Sequence, residues 1–472
     1  MNLTVLDLLS VPFVREIGLS ELDPNLTFHD VSTDSRTVRQ NDLFVALRGP
    51  NFDGHKFLPD VQREHAIAAI VSEEWSRGHK SKPGLPMLIV KDTLDALGAL
   101  ANRYRKKFNI PVLAIAGSNG KTTTKELVAH VLSDAFDVLK TEANFNNQIG
   151  VPRMLFQLRD GHGLAVLEIG TNHPGEIAWL CSVAEPTHVL VTNIGREHLE
   201  FFKDLKGVAT EEGAAFEQVN ARRGIAFVNM DDRYLRPAAK MFDDRCWTFG
   251  THDEGRPKHV FAEKIATTKD GRMELRIGSG GKSFKVRTHL IADYAPNMVA
   301  AAIAVAMHFG LRRTEIKTQI EQFRPHTKRL EVVHTPDGVT ILNDAYNANP
   351  DSMEAALRTL ESFPADGRKI AVLGDMFELG ATSEREHRAL GRWVANCKLD
   401  DVFFTGTDME LAWKAYHTAG RQRDGAAVDS YFKTKKQLAM ALRAILKPGD
   451  AVLIKGSRGM KMEELIEMLQ RA

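Results

Sequence analysis

The chain has 472 residues, 43% hydrophobic and 26% charged, an ordinary globular balance that at roughly 150 residues per domain allows about three domains, each with its own core. Its formal net charge of +1 argues against a polyanion-binding surface, so no nucleic-acid partner is expected, although local basic pockets for phosphates remain open. The three cysteines, Cys181, Cys246 and Cys397, are odd in number and far apart, which speaks against a disulfide framework or a CxxC metal site and suits reduced thiols in the cytosol.

The opening stretch MNLTVLDLLSVPFVREIG has no basic leader and carries Asp7 within its apolar run, so no export signal is read there. Strand-like Asp42–Leu47, Ala66–Val71 and Met87–Lys91 follow, and a helical stretch from Thr93 to Phe108 leads into the next unit. From Ile110 to about Phe323 come IPVLAIA, GLAVLEIG, THVLVTNIG and GIAFVNM, apolar strands that each end in polar or glycine residues. Ala262 to His289 alternates as an antiparallel β insert would, and Asn297 to Phe309 reads as a buried helix. Its longest apolar run, Met298 to Met307, is too short to cross a bilayer, so a soluble cytoplasmic protein without membrane insertion is expected. From about Arg324, VTILND, KIAVLGD, DVFFTG and AVLIKG alternate with helical segments. Short strands alternating with helices throughout predict an α/β fold with largely parallel sheets, divided at 1–107, 108–323 and 324–472.

The strongest chemical signal begins at Ile110, where a buried strand runs into Gly117-Ser118-Asn119-Gly120-Lys121-Thr122-Thr123 and then a helix. Glycines let backbone N–H groups close around phosphate oxygens, and the helix N-terminus adds its positive dipole end. Lys121 can reach the outer phosphates of a nucleotide, and Thr122 or Thr123 can place a hydroxyl on Mg²⁺. Ile115 stands where the common P-loop has its first glycine, so this is a shortened variant. Glu168 ends the strand GLAVLE. A carboxylate at the carboxyl end of a parallel strand beside the loop strand is placed to hold Mg²⁺.

GSNGKTT resembles the G-T-x-G-K-T/S loop of the Mur ligases, with Ser118 in place of the usual threonine. The segment NFNNQIGVP from Asn144 resembles the stretch of those family members that bind UDP-MurNAc-peptides. DAYNANPDSM from Asp344, GDMFELG from Gly374 with His387, and KGSRGMKME from Lys455 resemble the branch that adds D-alanyl-D-alanine. TDSR from Thr33 and DGH from Asp53 resemble the uridine-nucleotide domain that opens such chains. The resemblance implies three α/β domains: an N-terminal uridine-nucleotide-binding domain, a central P-loop ATPase domain with a parallel sheet, and a C-terminal Rossmann-like domain.

It also implies a set of site residues. Gly117 to Thr123 and Arg329 would meet the phosphates of ATP, Asn297 the adenine, and Asp344 with nearby Tyr346 the ribose. Thr122, Thr123, Glu168 and His198 would hold Mg²⁺, two ions being expected. Lys121, Glu168, His198 and Arg329 would carry catalysis. Ser35, Arg36, Asn146, Asn147, Asn347, Asn349 and Arg458 would bind the substrates UDP-MurNAc-tripeptide and D-alanyl-D-alanine, with Arg458 suited to a carboxylate by its planar fork. The family usually has a carbamylated lysine a few residues after the histidine. Here the register set by Gly213 and Phe216 puts Glu212 there, a permanent carboxylate on a shorter side chain. Where the family has His-Asn before its adenine contact, this chain has Asp293-Tyr294, and Lys328 replaces the glycine before Arg329.

The implied reaction is amide formation through an acyl phosphate, followed by attack of the incoming amine. It needs a base, for which His387 is a weak candidate more readily read as structural. The chain is expected to act as a monomer. A sister ligase adding the third amino acid, a ligase adding glutamates to folate, and a non-ligase P-loop NTPase are the competing readings.

Overall fold

The structure, a computed structural model, describes residues 1–79, 84–268, 271–325, 328–419 and 430–470. Residues 326–327, which precede Lys328 and Arg329, therefore lie outside the described residues.

Three large sheets follow one another along the chain. The first places Arg15–Ile17, Met87–Val90, Ala68–Ser72, Leu43–Val45 and Val31–Ser32 side by side, parallel except for its Arg15–Ile17 edge. The helix Thr93–Arg105 then begins where Asp92 accepts the N–H groups of Leu94 (2.7 Å) and Asp95 (3.1 Å), satisfying donors that the first turn leaves free.

The central sheet has nine strands. Val138–Lys140, Leu164–Glu168, Val112–Ala116, His188–Val191, Ile225–Asn229, Cys246–Gly250 and His259–Thr267 run parallel. Strands buried on both faces need uninterrupted apolar runs, and VLAIA and LAVLE are buried at every position. Leu113 and Ile115 join the core on one face, while Val112, Ala114 and Ala116 join the core on the other, as a period of two requires. The segment expected as an antiparallel insert forms His259–Thr267, Met273–Ser279 and Lys282–Thr288. It continues the same sheet, because His259–Thr267 pairs in parallel with Cys246–Gly250. The expected buried helix runs Ala295–His308, with Ala295 to Ala306 buried except Asn297.

The third sheet orders Glu331–His334, Thr340–Asp344, Ala451–Lys455, Lys369–Gly374, Asp401–Thr405 and Tyr431–Phe432, with only the first strand antiparallel. Among the described residues no helix is long and apolar enough to cross a membrane.

The chain after Val112–Ala116 first builds strands on one side of that strand and then crosses to the other, through His188–Val191. The carboxyl ends at such a switch leave a crevice where loops from both sides meet.

Helix Thr93–Arg105 fastens the first sheet to the central one. Tyr104 Oη donates to Leu158 O at 2.8 Å in a buried setting, and Arg105 Nη1 donates to Phe108 O at 2.6 Å. Tyr104→Phe leaves the Leu158 carbonyl unpaired at nearly constant volume, and should cost about 1–2 kcal/mol, read as a lower midpoint of urea unfolding.

Candidate active site

The loop after Val112–Ala116 turns on two glycines in the left-handed region, Gly117 (φ 112°) and Gly120 (φ 82°). A Cβ on Gly117 would lie 2.7 Å from the Thr192 backbone nitrogen, so the close approach of the neighbouring strand end also demands glycine. The segment after His188–Val191 braces the loop. Ser118 N–H donates to Asn193 O (2.9 Å), Gly195 N–H to Ser118 Oγ (2.8 Å), and Asn119 N–H to Asn193 Oδ1 (3.1 Å). The helix Lys121–Leu132 starts at Gly120 without a side-chain cap, leaving its first-turn N–H groups aimed at the crevice.

Acid surrounds this loop. Glu212, fully buried, accepts the Gly117 N–H at 2.6 Å through Oε2. Glu197 lies 3.5 Å from Lys121 Nζ, and both side chains are largely buried, at 7% and 14% exposure. Lys121 also donates to Gly117 O. Burial alone would lower the Lys121 pKa, but Glu197, Glu212 and Glu168 more than offset it and hold the ammonium above its usual value. Burial pushes the Glu212 carboxyl up to about 8, with Glu197 adding to the rise and Lys121 and the Gly117 N–H opposing it. Glu168 Oε1 accepts from Asn146 Nδ2 at 2.9 Å. Glu168 Oε2, Glu197 Oε1 and Glu212 Oε1 are buried without hydrogen-bond partners, an arrangement that invites a cation.

A cleft of about 550 Å³ opens in front of the loop. Ser118, Asn119, Gly120, Lys121, Thr122, Thr123, Asn146, Asn147, Glu168 and His198 line it from the central unit, and Arg329, Asp344, Tyr346, Asn347, Asn349 and Arg458 from the third. A smaller cavity of about 180 Å³ adjoins, lined by Asn119, Tyr294, Asn297, Met298, Asp351 and Arg358 among others. Asn297 Oδ1 is buried there without a partner, while Asp293 is taken by Arg358 Nε at 2.8 Å. Arg329 stacks on Tyr346 (4.1 Å to the ring centroid), and its Nε has no hydrogen-bond partner. Asp344 accepts from the buried Lys455 ammonium at 2.5 Å.

Other expected residues stand apart. Ser35 and Arg36 do not line the cleft. Asp34 holds the exposed Arg36 guanidinium (Nη2–Oδ2 2.6 Å), and this contact keeps the Asp34 carboxyl down at about 2. Glu212 sits behind the loop and not in the cleft beside His198, whose Nδ1 lies 2.7 Å from Glu378 Oε2. Arg458 does line the cleft, but its exposed guanidinium is paired with Glu463 at 2.6 Å. His387 is fully buried, accepts the Met376 N–H at 3.2 Å and turns Nδ1 to Ser383 O at 2.8 Å. Both ring nitrogens are thus engaged in holding the Met376 turn, which removes it as a base.

Sequence reading missed Glu197, Glu378 and Lys455. The acid next to His198 in REHLE was the available signal for Glu197, and Glu378 and Lys455 stand in the GDMFELG and KGSRGMKME segments; only their contacts with His198 and Asp344 come from tertiary packing.

Three family models match the chain: "Mur ligase family, catalytic domain" over residues 27–105, "Mur ligase middle domain" over 115–306 and "Mur ligase, glutamate ligase domain" over 328–458. The chain is 34% identical over 449 residues to the UDP-N-acetylmuramoyl-tripeptide–D-alanyl-D-alanine ligase of Escherichia coli, covering 94% of each. To the ligase of the same name from Bacillus subtilis it is 33% identical over 443 residues, 93% of each. The crystal structure of MurF from Acinetobacter baumannii superposes with a TM-score of 0.85 at 30% identity, covering 96% of both chains. The structure of MurF ligase from Thermotoga maritima in complex with ADP superposes at 0.82 and 27% identity, covering 95% of this chain and 99% of that one.

Lys121→Ala removes the one cation set within the loop. Nucleotide-dependent turnover should fall on the order of a hundredfold or more, while the circular dichroism spectrum stays that of the parent. Near-normal turnover by the folded variant would take the loop out of the chemistry.

Proposed function

The chain belongs to the Mur ligase family, and from that membership we propose that it joins D-alanyl-D-alanine to UDP-N-acetylmuramoyl-tripeptide, with ATP cleaved to ADP and phosphate, in peptidoglycan synthesis. The observation that carries this reading is the cleft in which a lysine-bearing phosphate loop, a strand-end carboxylate and an arginine from the third unit face one space. The proposal includes the division at 1–107, 108–323 and 324–472, since each range contains one large sheet. It also places the chain in the cytoplasm, where ATP and the nucleotide-linked substrate are found, as a monomer.

A carboxylate resists attack by an amine because oxide would have to leave. Transfer of the γ-phosphoryl group to the substrate carboxylate gives an acyl phosphate with phosphate as leaving group. The amine of D-alanyl-D-alanine then attacks its carbonyl. Such transfer is mostly positioning and charge stabilisation. Lys121 and the free Nε of Arg329 provide cationic donors for the transferring group, and the first-turn N–H groups cradle the remaining phosphates. Asn297 Oδ1, unpartnered in the small cavity, suits the amino group of adenine; Asp344 and Tyr346 suit the ribose. Asn146, Asn147, Asn347 and Asn349 offer amides to the peptide, and Arg458 exchanges Glu463 for the acceptor's carboxylate. Ser35 and Arg36 serve the uridine end.

Among the described residues no three His, Cys, Asp or Glu side chains converge to hold a metal by themselves. Mg²⁺ commonly relies on one or two carboxylates plus substrate phosphates. The unpartnered Glu168 Oε2 with the Thr122 and Thr123 hydroxyls fits that pattern. Mg²⁺ there would neutralise charge on the phosphoryl oxygens. His198 would serve a second ion from the cleft wall, while Glu212, set behind the loop on the Gly117 N–H, would stand in for a carbamate by its charge and not as a direct ligand.

Mass spectrometry of a mixture of ATP, Mg²⁺, UDP-MurNAc-tripeptide and D-alanyl-D-alanine should show UDP-MurNAc-pentapeptide. ATP cleavage indifferent to the amine would point instead to an uncoupled NTPase. Turnover should not change when CO₂ and bicarbonate are removed from the buffer, and Glu212→Gln should lower it on the order of tenfold and raise the Mg²⁺ concentration required. Parent-like behaviour of Glu212→Gln would leave Glu212 as a brace for Gly117 only.

A further inference from the structure

Arg196 lies between Gly195, which bonds Ser118 of the phosphate loop, and His198 on the cleft wall. Its side chain leaves the central unit and enters the third. Nε and Nη2 donate to Asp351 Oδ1 at 2.9 and 2.6 Å, Nη2 to Glu354 Oε1 at 2.7 Å, and Nη1 to Glu386 Oε2 at 3.1 Å. Its backbone N–H also donates to Asp351 Oδ2. Asp351 and Glu354 belong to helix Pro350–Ser362, and Glu386 to helix Ser383–Val394. The same region carries two further bridges: Asn349 Nδ2 donates to Asn119 Oδ1 at 3.0 Å, and His198 meets Glu378.

We infer that Arg196 is a positioning residue that locks the third unit over the phosphate loop and keeps water from the activated carboxyl. Three carboxylates from two helices converge on one guanidinium, whose fork can engage them together. All three belong to the part of the chain that must lie over the cleft for it to be enclosed, and Asp351 also lines the small cavity beside the loop. The segment that grips Ser118 is therefore the segment that holds the cover in place. A cover that opens too early admits water in place of the amine. Water oxygen then bonds to the acyl carbon, phosphate leaves with the C–O electron pair, the released protons pass to solvent, and the original carboxylate returns with ATP spent.

The inference rests on the ligase reading, and one experiment separates the two. Phosphate release and amide product are measured together for the full-length parent and for Arg196→Ala, with ATP, Mg²⁺, UDP-MurNAc-tripeptide and D-alanyl-D-alanine. The parent should give about one phosphate per amide. Arg196→Ala should lose amide-forming kcat on the order of tenfold or more, as when a half-buried charge cluster between two units loses its shared partner. It should release several phosphates per amide, with the KM for ATP altered far less. Glu354→Gln with Glu386→Gln, which leaves the loop segment and its Asp351 contacts intact, should shift the ratio the same way by a smaller factor, and serves if Arg196→Ala does not fold. One phosphate per amide in a folded variant, whether its rate is parental or reduced, overturns the inference, because Arg196 would then serve only the fold or the nucleotide. A parent that cleaves ATP without forming amide overturns the substrate reading, and this inference with it.

Discussion

An ammonium group enclosed with carboxylates sets the terms for the whole site. Lys121 and Glu197 are both largely withdrawn from water, Glu212 entirely so, and Glu168 is only 2% exposed. An uncompensated charge in such a place costs several kcal/mol, so these groups are tolerable only as a set. The set carries more acid than base, and one oxygen of each acid has no hydrogen-bond partner. A nucleotide with its cation would meet both excesses, its phosphates taking the lysine and its metal the acid. The same burial accounts for Glu212 being spent on the Gly117 N–H: a carboxyl group at the base of the loop fixes the turn.

Around that centre the parallel sheet performs a geometric task. Val112–Ala116 ends in the loop, Leu164–Glu168 ends in a carboxylate, and the segment after His188–Val191 braces the loop and carries Arg196, Glu197 and His198. Because all three strands run the same way, their polar ends gather at one edge, and the switch in strand order opens the crevice between them. The third sheet repeats the device with Thr340–Asp344 and Ala451–Lys455, whose ends present Asp344 and Lys455 as a buried pair. Two sets of strand ends face each other across the cleft, and bonds such as Asn349–Asn119 and Arg196–Asp351 span it.

The chain's order of elements and the loop itself were legible from residue pattern alone. Short apolar runs alternating with helical segments read as parallel strands, GSNGKTT between a strand and a helix turns tightly on glycine at Gly117 and Gly120, and the carboxylate closing LAVLE sits at the strand's polar end. Those are local consequences of side-chain period and backbone sterics, which sequence records directly. Motif likeness added Asn297, Arg329, Asp344, Tyr346 and Arg458, and all five fall on the two adjoining cavities. The antiparallel strands after His259 were readable as strands, but not as a continuation of the central sheet, since one parallel pairing with Cys246–Gly250 decides that.

Tertiary structure alone decided the partners. Arg196 reads in sequence as one more surface arginine, and only the docking of helices Pro350–Ser362 and Ser383–Val394 brings Asp351, Glu354 and Glu386, more than 150 positions away, onto its guanidinium. His387 stood in a suggestive motif, yet burial and two hydrogen bonds commit it to the Met376 turn. Glu212 was placed by register, but that it would lie behind the loop on Gly117 followed from how helix Leu205–Ala221 packs under the sheet. The reason is common to all three: backbone preference acts over a few residues, whereas burial and charge pairing depend on which distant segments share the same space.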